Sequence, residues 1–449
     1  MLRIKKFIKK NRGLLLVLAV ALILRIIFFG FILHNFGDKG FYPHNSEDSE
    51  QYLTLAKNLS EHSVFSRNET SPFENEFFRT PGYPFVISIF YRFIPVAWPT
   101  VLFQDLLALF VIVIIYKLCI LLLRKKSIAL LAAAIYACEP AVIYWNNQLL
   151  SETLFTFILV VSVYIFVKKI LINRQVNPLA FLVTGALLAC LNYVRPVAQF
   201  ILLVFVIFSL AVIKKINFCS FFRYFVAILL MVAAFIILIS PWAARNKVLF
   251  NTFDLSSASK TVAFRKYLTM TYLNVGDNVA EIGDIKMNDL KLVTLKYIAA
   301  HPIAFMEVHL SNMIPFFLGD SYFTTAAAIY PPLEQQRVVF ETWFYSWKDI
   351  LKIPVLQYRG VGGVIFLGGK AILLILNLFA LFGVLYWIFG FKDNRISAVF
   401  LLFLIYYFVL ATGVASYSRF RQPVNPYIYI YIALGVYGFA YKIKNATKK

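Results

Sequence analysis

Runs of about 20 apolar residues recur from one end of the chain to the other, and that is the length an α-helix needs to cross the hydrocarbon core of a bilayer. Inside lipid every backbone N–H and C=O must be satisfied within the protein, so such runs commit the chain to helices. A composition that is 61% hydrophobic and only 15% charged agrees. The expected fold class is an all-α polytopic membrane protein. The formal charge of +22 would suggest nucleic acid in a soluble protein, but here the basic residues sit in short clusters between apolar runs. They read as topology signals, and no nucleic-acid partner is expected. Cys119, Cys138, Cys190 and Cys219 fall in or beside apolar runs at irregular spacing, with neither a disulfide framework nor a zinc pattern.

The bias of lysine and arginine toward the cytoplasm orients the spans. The basic "MLRIKKFIKKNR" places the N-terminus inside, and the run from Gly13 to about Leu33 is a retained first span, too long for a signal-peptide core. It delivers "HNSEDSEQYLTLAKNLSEHSVFS", His44 to Ser66, to the outer face. The next basic cluster, Arg124-Lys125-Lys126, is cytoplasmic again, so one crossing, about Pro99 to Leu123, lies between. Pro81 to Val96, interrupted by prolines and Arg92, therefore reads as an interfacial helix on the outer surface.

Further spans are expected at Ser127–Tyr144, Glu152–Val167, Pro178–Tyr193, Val197–Ile213, Tyr224–Ile239, Ala371–Phe389, Ile396–Ala415 and Pro426–Tyr441, with both termini cytoplasmic. The total is about ten spans. From Ser240 to about Gly360 charges of both signs and turn residues appear. In that region Ile285, Leu290, Val293 and Ile298 can share one helix face before Pro302, and Ile303–Leu318 suggests a second interfacial helix. Three regions follow: an N-terminal transmembrane module, 1–239, containing the first outer loop at 34–98; an outer-face region, 240–360; and C-terminal membrane helices, 361–449. No internal repeat of the kind common in transporters is visible.

In this topology polar residues collect at the outer ends of spans. The first loop gives Glu47, Asp48, Glu50, Tyr52, Glu76, Arg79 and Tyr83. The turn between the third and fourth spans gives Glu139, Asn146, Asn147 and Glu152; "NYVRP" gives Arg195, "SPWAARN" gives Arg245, and "SYSRFRQPVNP" gives Arg419 and Arg421. Outer-side arginines run against the cytoplasmic bias, and arginines beside carboxylates at headgroup level suggest a phosphate ligand next to a base. Plainer readings stand beside this one. Asp48 alone could be a solvated acid, Arg195 could snorkel to the headgroups, and Glu152 could be a helix-start charge capped by Ser151. The histidines lack metal-ligand spacing.

The order of these motifs resembles the integral-membrane glycosyltransferases of the C type (GT-C). The resemblance is closest to the group holding the protein O-mannosyltransferases and the aminoarabinose transferases of lipid A. Its carriers are "EDSEQYLTLAKNLSEHSVFS", "RTPGYPFVI", "EPAVIYWNNQLLSETLFTF", "YVRP", "SPWAARN" and "SRFRQPVNP". The resemblance implies the GT-C fold and a polyprenyl-phosphate sugar donor of the undecaprenyl or dolichyl type. It implies a lipid, glycan or protein acceptor, and inverting transfer at the outer face of the membrane; usage rich in Lys, Ile, Phe and Asn fits an AT-rich genome, and a bacterial inner membrane is expected. By the same resemblance Asp48 is the general base, and Arg79, Arg245, Arg419, Arg421 and Arg195 hold the donor phosphate. Glu47, Glu50, Tyr52, Tyr83 and Glu152 make further substrate contacts. Two positions depart from the pattern: Ser49 stands where the family often pairs a second acid, and Phe78 stands where some relatives carry a metal-binding Glu. No cofactor is certain, and a divalent metal is left open. The alternatives are a transporter or flippase of lipid-linked or anionic substrates, a glycan polymerase or ligase, and a non-catalytic scaffold.

Overall fold

The computed structural model describes every residue except 1, 44–46, 174–175, 214–217, 259–263, 284, 286, 320, 331, 334–359, 391–393, 414–416 and 447–449. His44 and the topology markers Arg174, Lys214, Lys215 and Lys392 lie outside the described residues. All regular structure among the described residues is helical.

The helices are α1 (Leu2–Phe36), α2 (Asp48–Glu61), α3 (Gly82–Tyr91), α4 (Trp98–Leu123), α5 (Lys126–Cys138), α6 (Pro140–Asn146), α7 (Glu152–Phe166), α8 (Pro178–Val194), α9 (Ile201–Ile213) and α10 (Phe218–Phe250). There follow α11 (Arg265–Val275), α12 (Met287–Ala300), α13 (Pro302–Leu318), α14 (Ser321–Ile329), α15 (Gly360–Leu385), α16 (Arg395–Thr412), the single turn α17 (Ser418–Arg421) and α18 (Asn425–Ala446).

A helix stands at each expected span. Six are long and apolar enough to cross a bilayer alone: Lys10–Phe36, Trp98–Leu123, Glu152–Ile172, Phe221–Phe250, Gly360–Gly390 and Arg395–Thr412. The expected straight span Ser127–Tyr144 is instead a pair, α5 and α6, bent by 56° and making a seventh crossing if counted as one. The bend has a local cause: Glu139 is extended at φ −65°, ψ 116°, because the ring of Pro140 disfavours a helical residue before it. Pro178–Val194 and Pro196–Val212 are apolar but shorter. The last helix is rich in tyrosine.

α10 and α15 show where helices run past their expected ends. α10 continues through Ser240 and Pro241 to Phe250, so the boundary drawn at 239/240 is not a break in the helix. α15 begins at Gly360, eleven residues (371 − 360) before the expected start at Ala371.

α1, α7 and α18 surround α4 and α5, while α8 joins α7 to α10. Small side chains of α5, Ala129, Ala132, Ala133 and Ala137, are fully buried against larger ones of α4 such as Val111, Ile115 and Leu118. α15 and α18 cross at close range. A Cβ at Gly383 would lie 1.9 Å from Tyr431 O, and one at Gly435 would lie 1.9 Å from Phe379 O. Such contact suits a membrane, where dispersion between closely approached backbones takes over from hydrophobic driving force.

Within residues 240–360, α11, α12 and the turn Val279–Ile282 between them form a small core of Leu268, Ile282 and Leu290, with Phe264, Tyr272, Ile285, Val293 and Tyr297 against it. Of the expected face, Leu290 and Val293 lie on α12, Ile285 precedes the helix but packs on the same core, and Tyr297 takes the place assigned to Ile298. α13 covers the stretch Ile303–Leu318 where a helix was expected, and it packs on α11 and α17.

Candidate active site

The site is built where α2 meets the turn between α6 and α7. In α2 the buried residues Tyr52, Leu55 and Ala56 fall at helical spacing and turn the opposite face outward. Ser49 Oγ donates to Leu149 O at 2.9 Å and Leu149 N donates to Phe41 O at 2.8 Å, so the start of α2 is pinned on the turn that precedes Glu152. Asp48 occupies the first turn of α2, where unpaired N–H groups favour a negative charge.

The loop after α2 brings Arg79 back to that point. Buried Glu76 accepts from the backbone N–H of Phe78 and, at 3.0 Å, of Arg79, and pairs with Arg67. Next to it Thr80 Oγ1 donates to Val194 O at 3.2 Å. A Cβ on Gly82 would come within 2.7 Å of Tyr193 O, so the start of α3 lies flat on the end of α8. The two contacts carry the proline element to the helix end that bears Arg195.

Five charged side chains then form a chain. Arg79 Nη2 donates to Asp48 Oδ1, and Arg419 Nη1 donates to Asp48 Oδ2 at 2.6 Å. Arg419 Nε donates to Glu152 Oε1. Arg195 Nη1 meets the same oxygen as an ion pair, off the hydrogen-bond direction. Arg79 is further held by Gln51 Oε1, at 3.0 Å from Nε and 2.8 Å from Nη2, and lies over the rings of Tyr52 and Phe78 at 4.8 and 4.9 Å. Asp48 is the most exposed of the five, its side chain 24% exposed against 2% for Glu152. Burial pushes the Asp48 carboxyl up, but Arg419 and Arg79 outweigh it and hold the group well below the usual carboxylate range. Three guanidiniums face two carboxylates, which leaves the cluster with an excess positive charge.

The other candidates are placed around this chain. Arg245, near the end of α10, donates to the backbone O of Glu76 at 3.1 Å and to Asn246 Oδ1 at 2.8 Å, and stacks on Trp242 at 4.4 Å. It braces the loop that carries Arg79. Arg421 turns away from Asp48: it donates to the carbonyls of Phe316, at 2.9 Å, and Phe317 at the end of α13, and to Asn425 Oδ1 at 3.1 Å. Tyr83 packs edge-on against Tyr52 and donates to Gln104 Oε1 at 2.5 Å, while Gln104 Nε2 donates to Asn146 O and Gln148 O. Tyr52 OH lies 3.4 Å from Ser151 Oγ. Glu47 and Glu50 are exposed at the rim. Glu139 stands apart at the α5–α6 bend, where it accepts from Tyr322 OH at 3.3 Å.

Sequence reasoning passed over Gln51, although it follows Asp48 by three residues on α2 and so shares its face. It also passed over a buried pair below the site, Arg25 and Asp105, 3.8 Å apart, with Arg25 donating to Ala137 O. Both residues were hidden inside runs read only as spans.

In this structure Asp48 and Glu152 are both paired with arginines. Each oxygen of Asp48 is taken by a guanidinium, and among the described residues no three His, Cys, Asp or Glu side chains gather in a metal-binding group.

No protein-family model matches the chain, and no curated protein matches it in sequence. Solved structures do. Three crystal structures of an oligosaccharyltransferase from Archaeoglobus fulgidus superpose on 96% of this chain with a TM-score of 0.50 each. The form tethered to an acceptor peptide containing an NVT sequon is 15% identical, the apo form 14%, and the complex with zinc and sulfate 16%. The chain has the GT-C fold. It spans about half the length of that oligosaccharyltransferase: 50%, 52% and 49% of the three chains in the same order. The Asp48–Arg419 cluster sits where the loop after α1 meets the C-terminal helices.

Proposed function

We propose that this protein is a glycosyltransferase that moves a sugar from a polyprenyl-phosphate donor to an acceptor hydroxyl at the outer face of the membrane. The observation that carries the reading is the double engagement of Asp48 by Arg79 and Arg419, in a chain of GT-C fold. A partly exposed carboxylate beside surplus guanidiniums supplies the two things such a reaction requires, a proton acceptor and a holder for the departing phosphate.

In the proposed step the acceptor oxygen attacks the anomeric carbon, the bond from that carbon to the phosphate oxygen breaks, and the acceptor proton passes to Asp48. The negative charge that collects on the leaving phosphate is met by Arg79, Arg419 and Arg195, which are already oriented and need no reorganisation. While Asp48 holds both arginines it is a weak base. A bound phosphate that draws on the same guanidiniums weakens their hold and raises the proton affinity of Asp48, so donor binding and base strength rise together. Arg245 supports this from behind through the loop of Glu76. The motifs favour the branch related to protein O-mannosyltransferases and aminoarabinose transferases over one that transfers an oligosaccharide.

The test is to supply purified protein in lipid with a panel of polyprenyl-phosphate sugars and total membrane lipid as acceptor. The reading predicts release of polyprenyl phosphate coupled to sugar transfer. Movement of intact donor across the bilayer without bond cleavage would replace it with a transporter.

A further inference from the structure

We propose that Glu152 is a positioning residue for the arginines of this site, an assignment that rests on the phosphate-binding reading above. Its side chain is 2% exposed, so it stands behind the ligand surface. One of its oxygens, Oε1, receives both Arg419 Nε and Arg195 Nη1. The start of α7 tolerates the buried charge because the helix N-terminus adds its own positive field.

The consequence is an asymmetry between the two arginines on Asp48. Arg419 is anchored through Nε on Glu152 while its Nη1 points at Asp48. Among the described residues no second acid pairs with the Arg79 guanidinium; its other partners are Gln51, Tyr52 OH at 3.5 Å and two aromatic faces. An anion entering at Asp48 therefore meets one arginine anchored by a second acid and one held by neutral partners. The two acids also act on such a ligand in opposite senses. Asp48 competes with it for Arg79 and Arg419, whereas Glu152 keeps Arg419 and Arg195 in register for it.

That opposition is what the experiment reads. Binding of undecaprenyl phosphate to the full chain in nanodiscs is titrated for wild type, Asp48→Asn and Glu152→Gln. The expected result is weakening by about tenfold or more for Glu152→Gln, with unchanged or tighter binding for Asp48→Asn. Should Glu152→Gln fail to fold, Glu152→Gln combined with Arg195→Gln restores the charge balance and is compared with Arg195→Gln alone; about tenfold weaker binding by the double variant is again expected. Glu152→Gln binding as tightly as Asp48→Asn, or the double variant matching Arg195→Gln, would overturn the assignment. Failure of the wild type to bind undecaprenyl phosphate would instead strike the phosphate-binding reading, and the role of Glu152 with it.

Discussion

Arg419 Nη1 lies 2.6 Å from Asp48 Oδ2, although 371 residues of chain separate the two. One side chain begins the first helix after α1, and the other sits on the single turn before the last helix. Closing that distance is what the helix bundle does for the site, and the predictions below follow from how the two residues are held.

Transfer should invert the anomeric configuration. A retaining mechanism requires a carboxylate free to attack the sugar, and the second acid of the cluster, Glu152, is buried with one oxygen shared by two arginines. Analysis of the product anomer by NMR checks this prediction, with retention as the contrary result.

Arg79→Lys should behave as a severe change. The guanidinium reaches Asp48 and Gln51 with separate nitrogens and lies over two rings, a set of contacts that one ammonium group cannot reproduce. The donor KM is expected to rise about tenfold. Steady-state kinetics against donor concentration measures it.

Stability should depend on Asp48 with a definite sign. Its folded carboxyl is held below the usual range by the two arginines despite burial, so its contribution is fully present above the unfolded value of about 4 and is lost as pH falls through the folded value. Thermal unfolding of wild type and Asp48→Asn should therefore differ by a constant amount between neutral and mildly acidic pH. The difference should shrink only in strong acid, and a gap that widens as pH falls would contradict the account.

Arg421→Met should lower thermal stability more than donor affinity. Its guanidinium holds the last carbonyls of α13 and is 4% exposed, and leaving those acceptors unpaired costs about 1–3 kcal/mol. Unfolding temperature and donor KM, measured on the same preparation, separate the two effects.

The difference between Arg419 and Arg421 shows what could be read from the sequence. Both were expected at the phosphate, since both stand in "SRFRQP" on the outer side. On one helical turn residues i and i+2 point to different sides, so Arg419 goes to Asp48 and Arg421 to α13. Knowing that "SRFR" is a helical turn would have parted them, but four residues before a proline carry no such signal. The apolar runs announced the membrane helices because hydrocarbon leaves the backbone no alternative. They hid the bend at Glu139, since a broken span is as apolar as a straight one, although Pro140 marked it. Asp48, Arg79 and Arg195 were visible as charges where lipid makes charge costly. Their pairing was not, because contacts between Asp48 and Arg419 or Glu152 and Arg195 depend on how distant helices pack.

The most direct test of the central claim is donor turnover by Asp48→Asn alongside wild type, with donor binding measured on the same samples. The account predicts that turnover falls by about 10²- to 10⁴-fold while binding is kept or tightened. Turnover at the wild-type level would show that Asp48 does not take the acceptor proton.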